Sequence, residues 1–528
     1  MNRYARGLAR LLALACMVGG TRVAAAADLT LGVALEPGSL DPHLIWSPGN
    51  NQLNMQMFGA LTSMDAEGRV LPRLATKWEF TEDGDWVFTL DPKARFSTGD
   101  AVTTADVIAS FERARTLPKG TYRGIFSTVQ QFVAVDDHTL KVDTSEPSPT
   151  LPAYLAVVPV LPKAIAEKAQ SSDFADPKTS VSAGPYQLVQ FTPGDRVVMQ
   201  ANPYYVGGKT AWDKLTFRFL TDSASRVAAL LSGQVDVIDG VTPDDAAEIR
   251  KRGGFNVVTE PTARTVYMTF DISRDVTPQA TGPDGKPLPK NPFQDKRVRQ
   301  ALTLAINREA IIQRVLMGQG APMNQISAPT LGGYNPDIPK LPYDPEKAKA
   351  LLAEAGYPNG FGLTVTCSSG RLVNDARICQ ALGQMLERIG LKTVIDVQPY
   401  AILVNKATCH CDRRPSFFMS TWSSAVVGET GMALSSVLRT YEKDGAKGVW
   451  NLGEYSNPAL DKLIDEAAGV MDNDKRFAMQ AQAMATAMED YPVLPMHLQS
   501  LTLAARKGLM PTVYVYELTI ADSVKVEQ

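Results

Sequence analysis

The chain has 528 residues, 45% hydrophobic and 21% charged, with 53 Lys and Arg against 56 Asp and Glu. That balance is ordinary for globular protein and excludes disordered or fibrous chains; the length exceeds what one core holds, so two or three lobes are expected. A formal charge of −3 excludes a generally basic nucleic-acid binder, and beyond the N-terminal segment no run of about 18 apolar residues is present to span a bilayer repeatedly.

At the N-terminus, Arg3, Arg6 and Arg10 precede the apolar run Leu11–Val18, and Ala24 to Ala27 supply small residues for cleavage before Asp28. This is the three-part pattern of a secretory signal peptide over residues 1–27, so export, to a periplasm, is expected. The apolar run is too short for a membrane anchor, and Cys16 leaves lipoprotein anchoring as the alternative. Loss of the leader with its four arginines would take the formal charge from −3 to −7. Four cysteines follow it: Cys367, Cys379, Cys409 and Cys411. An oxidising compartment permits disulfides among them in any of three full pairings. Cys379 falls on a helix's apolar stripe, where a buried free thiol is expected. Cys409-His410-Cys411 has metal-ligand residue types but lacks the second cluster of a zinc site, so no metal is assigned.

In chain order, Trp86 to Leu90 alternates as a half-buried strand. Thr103 or Thr104 caps a helix through Arg115 with Val107, Ile108 and Phe111 on one face. Thr216 to Leu220 is a strand. Val298, Ala301, Leu302, Ala305 and Ile306 predict a helix over 295–317, ended by Gly318. Ala348, Leu351, Leu352 and Ala355 predict the next, with Gly356 as terminator. Asn374 to Gly390 follows with Cys379, Leu382, Leu386 and Ile389 inward, and Pro458 opens one carrying Leu460, Leu463, Ile464 and Ala467. Between Val276 and Pro292 lie five prolines and two glycines; they predict a surface loop without ladder or helix, and a lobe boundary near residue 271. The fold class is mixed α/β, with at least two lobes.

Catalytic constellations are missing. There is no H-E-x-x-H and no G-x-S-x-G, and Gly207-Gly-Lys-Thr210 has Pro203 where a phosphate loop needs its first glycine. His43, His138, His410 and His497 stand far apart, and Asp136-Asp137 and Asp244-Asp245 read as turn and helix-start residues. The chain is not expected to be an enzyme or to need a cofactor.

Several motifs together resemble the extracellular solute-binding proteins of family 5, the dipeptide- and oligopeptide-binding proteins of ABC importers. They are Trp78-Glu-Phe-Thr-Glu-Asp-Gly84, Trp86-Val-Phe-Thr-Leu90, Ala94-Arg-Phe96, Gly99-Asp100 and Thr104-Ala-Asp-Val107. Ser182-Ala-Gly-Pro-Tyr186, Asn202-Pro-Tyr-Tyr205, Phe293-Gln-Asp-Lys-Arg-Val-Arg-Gln-Ala301 and Ala305-Ile-Asn-Arg308 follow in the family's order. Tyr343-Asp-Pro-Glu-Lys-Ala348, Leu351-Leu-Ala-Glu-Ala-Gly-Tyr357, Tyr455-Ser-Asn-Pro458 and Leu494-Pro-Met-His497 complete the series over nearly the whole chain after the leader. Physically most of these are structural: Asp83-Gly84 makes a hairpin turn, and the charged helix from 295 to 308 pins the second lobe near the crossover.

The resemblance implies a two-lobed periplasmic-binding-protein fold (type II-like, cluster C) with an extra subdomain inserted in lobe I. Lobe I would take 28–271 and the return 496–528, lobe II 272–495. It implies a monomer that closes over a peptide or small molecule and delivers it to an ABC permease, coupled through it to ATPase subunits; nucleic acid is not a partner. The ligand would be touched by Glu36 and Trp46 after the first strand, by Arg371 before a lobe II helix, and by Trp422 and Glu429. Arg371 would clamp a carboxylate and Trp422 stack on a side chain. Dipeptide binders of this kind carry an aspartate soon after that tryptophan; here the run is Trp422-Ser-Ser-Ala-Val-Val-Gly-Glu429, with Glu429 as the nearest substitute. Peptide is the first reading. A non-peptide solute (an opine, a sugar-derived compound or a metal chelate) is the alternative on the same scaffold, and a secreted metal-handling protein or enzyme using Cys409-His410-Cys411 stands third.

Overall fold

The computed structural model describes residues 28–443 and 447–527; the leader expected over residues 1–27 lies outside them. Among the described residues no helix is long and apolar enough to cross a membrane.

A 12-stranded sheet runs through the whole molecule. Its centre is a pair of long antiparallel strands, Phe255–Phe270 and Val493–Arg506. On one side lie Val237–Ile238, Asp28–Val33, Lys214–Phe219, Arg196–Ala201 and Tyr186–Thr192 in that order; on the other lie Phe417–Ser423 and then Gly362–Ser369. Lys392–Pro399 adds a parallel strand outside Gly362–Ser369. Each long strand thus serves both halves, and its ends join different cores. Val266, Met268 and Phe270 pack with Leu494 and Met496 in one core, while Ala504 and Ala505 pack with the opposite half. The ladder between them slips between Pro261 and Thr265, between the stretches that serve the two halves.

A separate four-stranded antiparallel sheet, Ala75–Phe80, Asp85–Leu90, Thr139–Thr144 and Val129–Ala134 in order, forms the inserted unit. Asp85–Leu90 alternates in burial as expected, and Gly84 takes φ +90° in the hairpin before it, a conformation that suits a residue without Cβ. Asp106 closes a capping box on Thr103, and the helix Thr104–Thr116 buries Val107 and Phe111.

Three expectations need correction. The region 295–317 is two helices, Lys296–Leu304 and Arg308–Arg314, not one. Asn307 accepts the Ala310 N–H at 2.9 Å and caps the second. The buried Arg308 guanidinium takes the carbonyls of Thr303 and Ile306, which a continuous helix would use itself, and bonds Pro495 O at 2.7 Å. With Arg299 on the carbonyls of Asp490 and Tyr491, these arginines fasten the helices to the start of the second long strand. Secondly, Cys379 is not a free thiol: the turn from Gly362–Ser369 into the helix Asp375–Glu387 brings its Cα to 6.0 Å from that of Cys367, and the two are bonded. Cys409 and Cys411 form the other disulfide. Thirdly, the proline-rich loop does contribute to the sheet, because its proline-free residues Ala280–Thr281 pair with Leu363 and Gly362.

His497, on the second long strand, is buried with Nδ1 unpaired, and burial lowers its pKa from 6.5 to about 4. The unfolded chain therefore holds more protons between those values, so this contribution to stability is complete above about pH 6.5 and is lost as the pH falls to about 4. Buried His43 shifts in the same direction. Unfolding free energies measured in urea at several pH values should decline over that window, and the decline should be shallower in His497→Gln; equal slopes would contradict the assignment.

Candidate functional site

Between the two halves lies a cavity of about 330 Å³. Its walls come from the segment after the first strand (Trp46 to Met55), from the strand Phe417–Ser423 with its following loop, from Arg371 and Tyr400, and from Tyr516 and Leu518 near the C-terminus.

Each wall residue is held by local chemistry. Ser47 caps the helix Pro48–Met57, and the Trp46 N–H donates to Thr121 Oγ1 at 2.6 Å. This leaves the half-buried indole 6.2 Å from the rings of Tyr122 and Tyr154. Trp422 donates its indole N–H to Ser424 Oγ at 3.0 Å and lies 5.9 Å from the Trp450 ring, so two indoles share the opposite wall. Asp375 shapes the turn that presents Arg371: its carboxylate accepts the N–H groups of Arg371 and Leu372 at 3.3 Å and the Ser368 hydroxyl at 3.1 Å.

The electrostatic centre is Glu517. Arg264 donates to it at 2.6 Å, and Arg371 stands 3.6 Å away. Thr262 and Gln499 donate to its other oxygen at 3.2 and 2.9 Å. Burial pushes the Glu517 carboxyl pKa up, but the two guanidiniums and these hydrogen bonds outweigh it and hold the carboxyl below its ordinary range. Arg371 is lowered first by the neighbouring Arg264 charge and then by burial, with Glu517 opposing. Two arginines line the cavity, no Asp or Glu does so, and the one carboxylate behind them neutralises only half their charge. An excess positive charge thus faces a partly open space walled by aromatic rings, an arrangement chemically suited to an anion, and to a carboxylate above all, through forked charge-assisted hydrogen bonds.

Of the sequence-derived site residues, the structure brings Trp46, Arg371 and Trp422 together around this cavity. Glu36 is exposed and accepts the Gly194 N–H at 2.7 Å, away from the cavity lining. Glu429 is buried in an ion pair with Arg476 at 2.8 Å and accepts from Gln480 at 2.9 Å. It borders a smaller cavity of about 90 Å³ beside Tyr154 and Met432. Arg264, Glu517, Tyr400, Trp450 and Tyr516 were not found from sequence. A charged residue within the otherwise apolar and small-residue stretch Ala263–Phe270 was the available signal for Arg264; none marked Glu517 as its partner. Among the described residues no group of three His, Cys, Asp or Glu is placed to hold a metal ion.

Removing the shared carboxylate leaves two largely shielded cations facing each other. Glu517→Gln should therefore lower stability by about 3–5 kcal/mol, read as a shift in urea unfolding, and added sulfate should restore more of it in the variant than in the natural chain. Unchanged stability would show that Glu517 does not carry this balance.

Residues 69–444 match the family described as bacterial extracellular solute-binding proteins, family 5 Middle. The dipeptide-binding protein of Escherichia coli (strain K12) is 26% identical over 483 residues, covering 84% of this chain and 86% of its own. The glutathione-binding protein GsiB of Pectobacterium atrosepticum is 27% identical over 495 residues, covering 92% and 91%. The solved structure of the PBP AgaA in complex with agropinic acid, from A.tumefacien R10, superposes with a TM-score of 0.76 at 27% identity, covering 95% of this chain and 99% of that one.

Proposed function

The chain belongs to the bacterial extracellular solute-binding proteins, family 5, and from that premise we propose that it is the substrate-capturing component of an ABC importer for a small peptide or peptide-like acid. The observation that carries the reading is the pair of guanidiniums, Arg264 and Arg371, facing a cavity without an acidic wall residue. Arg371 is the less committed of the two, since Arg264 already holds Glu517 at 2.6 Å while Arg371 stands at 3.6 Å. Its fork takes the ligand carboxylate, and Trp46, Trp422 and Trp450 cover the apolar body. A volume near 330 Å³ is at the small end of the range for small-molecule sites, which favours short ligands.

Capture proceeds by closure of two lobes, 28–271 with 496–528 against 272–495, about the pair of long strands. A ligand held by groups from both halves lowers the energy of the closed shape, and that shape is what a membrane permease with its ATPase subunits recognises. The protein acts as a monomer, exported by the leader over residues 1–27 to the periplasm. Glu36 and Glu429 are left out of ligand contact in this reading, since each already serves a structural partner.

A second reading has its own support. A free peptide amino group needs an anion, and the wall has none, because the nearest candidate, Glu429, is spent on Arg476. An anionic solute without a free amine, of the opine or sugar-acid type, fits the charge of the wall; the relative AgaA holds agropinic acid.

Thermal shifts with Ala-Ala, its N-acetyl derivative and its C-terminal amide test both readings. Acids should stabilise the protein and the amide should not, whereas an equal response to the amide would overturn the carboxylate clamp. N-acetyl-Ala-Ala outperforming Ala-Ala would select the second reading. Arg371→Ala should weaken binding of any responding acid by about 30-fold or more, consistent with about 2–5 kcal/mol for a buried charge partner. Arg371→Lys should recover only part of it, and Glu429→Gln should leave it unchanged.

A further inference from the structure

The two disulfides occupy opposite environments. Cys367 and Cys379 are buried and join a strand to a helix across a sequence separation of 12. Cys409 and Cys411 are separated by 2, and Cys411 is exposed. A cross-link across so short a loop removes little freedom from the unfolded chain, so ring closure contributes little to keeping it oxidised. The residue between them, His410, takes φ +45°, a left-handed backbone conformation that a non-glycine residue adopts at a cost.

The surroundings hold this turn through several contacts while leaving Cys411 exposed. The His410 ring stacks on Tyr441 at 3.7 Å and pairs through Nδ1 with Glu454 at 3.0 Å. Arg274 donates to the carbonyls of Asp412 and Arg414 at 3.2 and 2.9 Å, and buried Arg414 bridges Glu454 and Asp271. The backbone after the turn is thereby held, and before it the Thr408 N–H bonds Val404 O at 2.9 Å, so the two sulfurs stay neighbours when the bond opens.

We infer that Cys409–Cys411 is a thiol–disulfide exchange site whose substrate class is a dithiol, a chemistry independent of the solute cleft. The dithiol's thiolate attacks the exposed Cys411 sulfur; the bond to Cys409 breaks, and Cys409 leaves as a thiolate that takes up a proton. The dithiol's second sulfur then attacks its own partner in the mixed disulfide and releases Cys411. Two electrons and two protons pass to the protein, and the dithiol becomes a disulfide.

The test is a titration of the purified, natively folded protein with defined ratios of reduced to oxidised dithiothreitol, followed by quenching with iodoacetamide and peptide mass spectrometry. Labelling of Cys409 and Cys411 should reach its midpoint at a ratio at least tenfold lower than that of Cys367 and Cys379, with the circular dichroism of the fold unchanged, and reoxidation should reverse it. Cys409→Ser/Cys411→Ser should show no labelling at that ratio while keeping the folded signal. Simultaneous opening of both pairs, or a Cys409–Cys411 bond that stays closed until the protein unfolds, would overturn the proposal.

Discussion

Two guanidiniums share one buried carboxylate where the halves of this molecule meet. Arg264 belongs to the first long strand, Arg371 to a turn of the second half, and Glu517 to the returning C-terminal segment. Buried charges are tolerated only when paired, so Glu517 must be where both arginines can reach it. That requirement orders the chemistry of the cleft: it leaves one positive charge over, directed into a space lined by Trp46, Trp422 and Trp450. The long strand pair provides the frame, and its register slip near Pro261 and Thr265 places Arg264 at the point where the strands pass from one half to the other.

The same logic of paired charge accounts for what stays outside the cleft. Arg476 and Gln480 hold the Glu429 carboxylate, and Arg113 forms a forked pair with Asp41 inside the first half. Arg299 and Arg308 use backbone carbonyls as hydrogen-bond acceptors, which fastens their helices to the second long strand. The positive excess in the cavity is therefore local, in a chain whose overall formal charge is −3.

Elements governed by neighbours in sequence were legible. The hairpin at Asp83-Gly84, the capping box at Thr103 and the proline-led helix Pro458–Ala468 rest on contacts a few residues long. Trp46, Arg371 and Trp422 were placed by the family's motif order, which encodes the fold. The Arg264–Glu517 contact spans 253 positions, and no local pattern records it. The break at Asn307 was hidden for a similar reason: the apolar periodicity continues through it, while the deciding bond runs from Arg308 to Pro495. Glu429 looked free because its partner Arg476 lies on a distant helix. The Cys367–Cys379 bond depended on how one strand-to-helix turn folds back, which a helical stripe alone does not state.

Native mass spectrometry of gently purified protein reads directly whether Arg371 holds an acidic solute in the cleft. A bound small solute bearing a carboxylate should be retained by the natural chain and lost from a variant lacking the Arg371 guanidinium. A co-purified solute without any acidic group, held equally by both proteins, would contradict that role for Arg371.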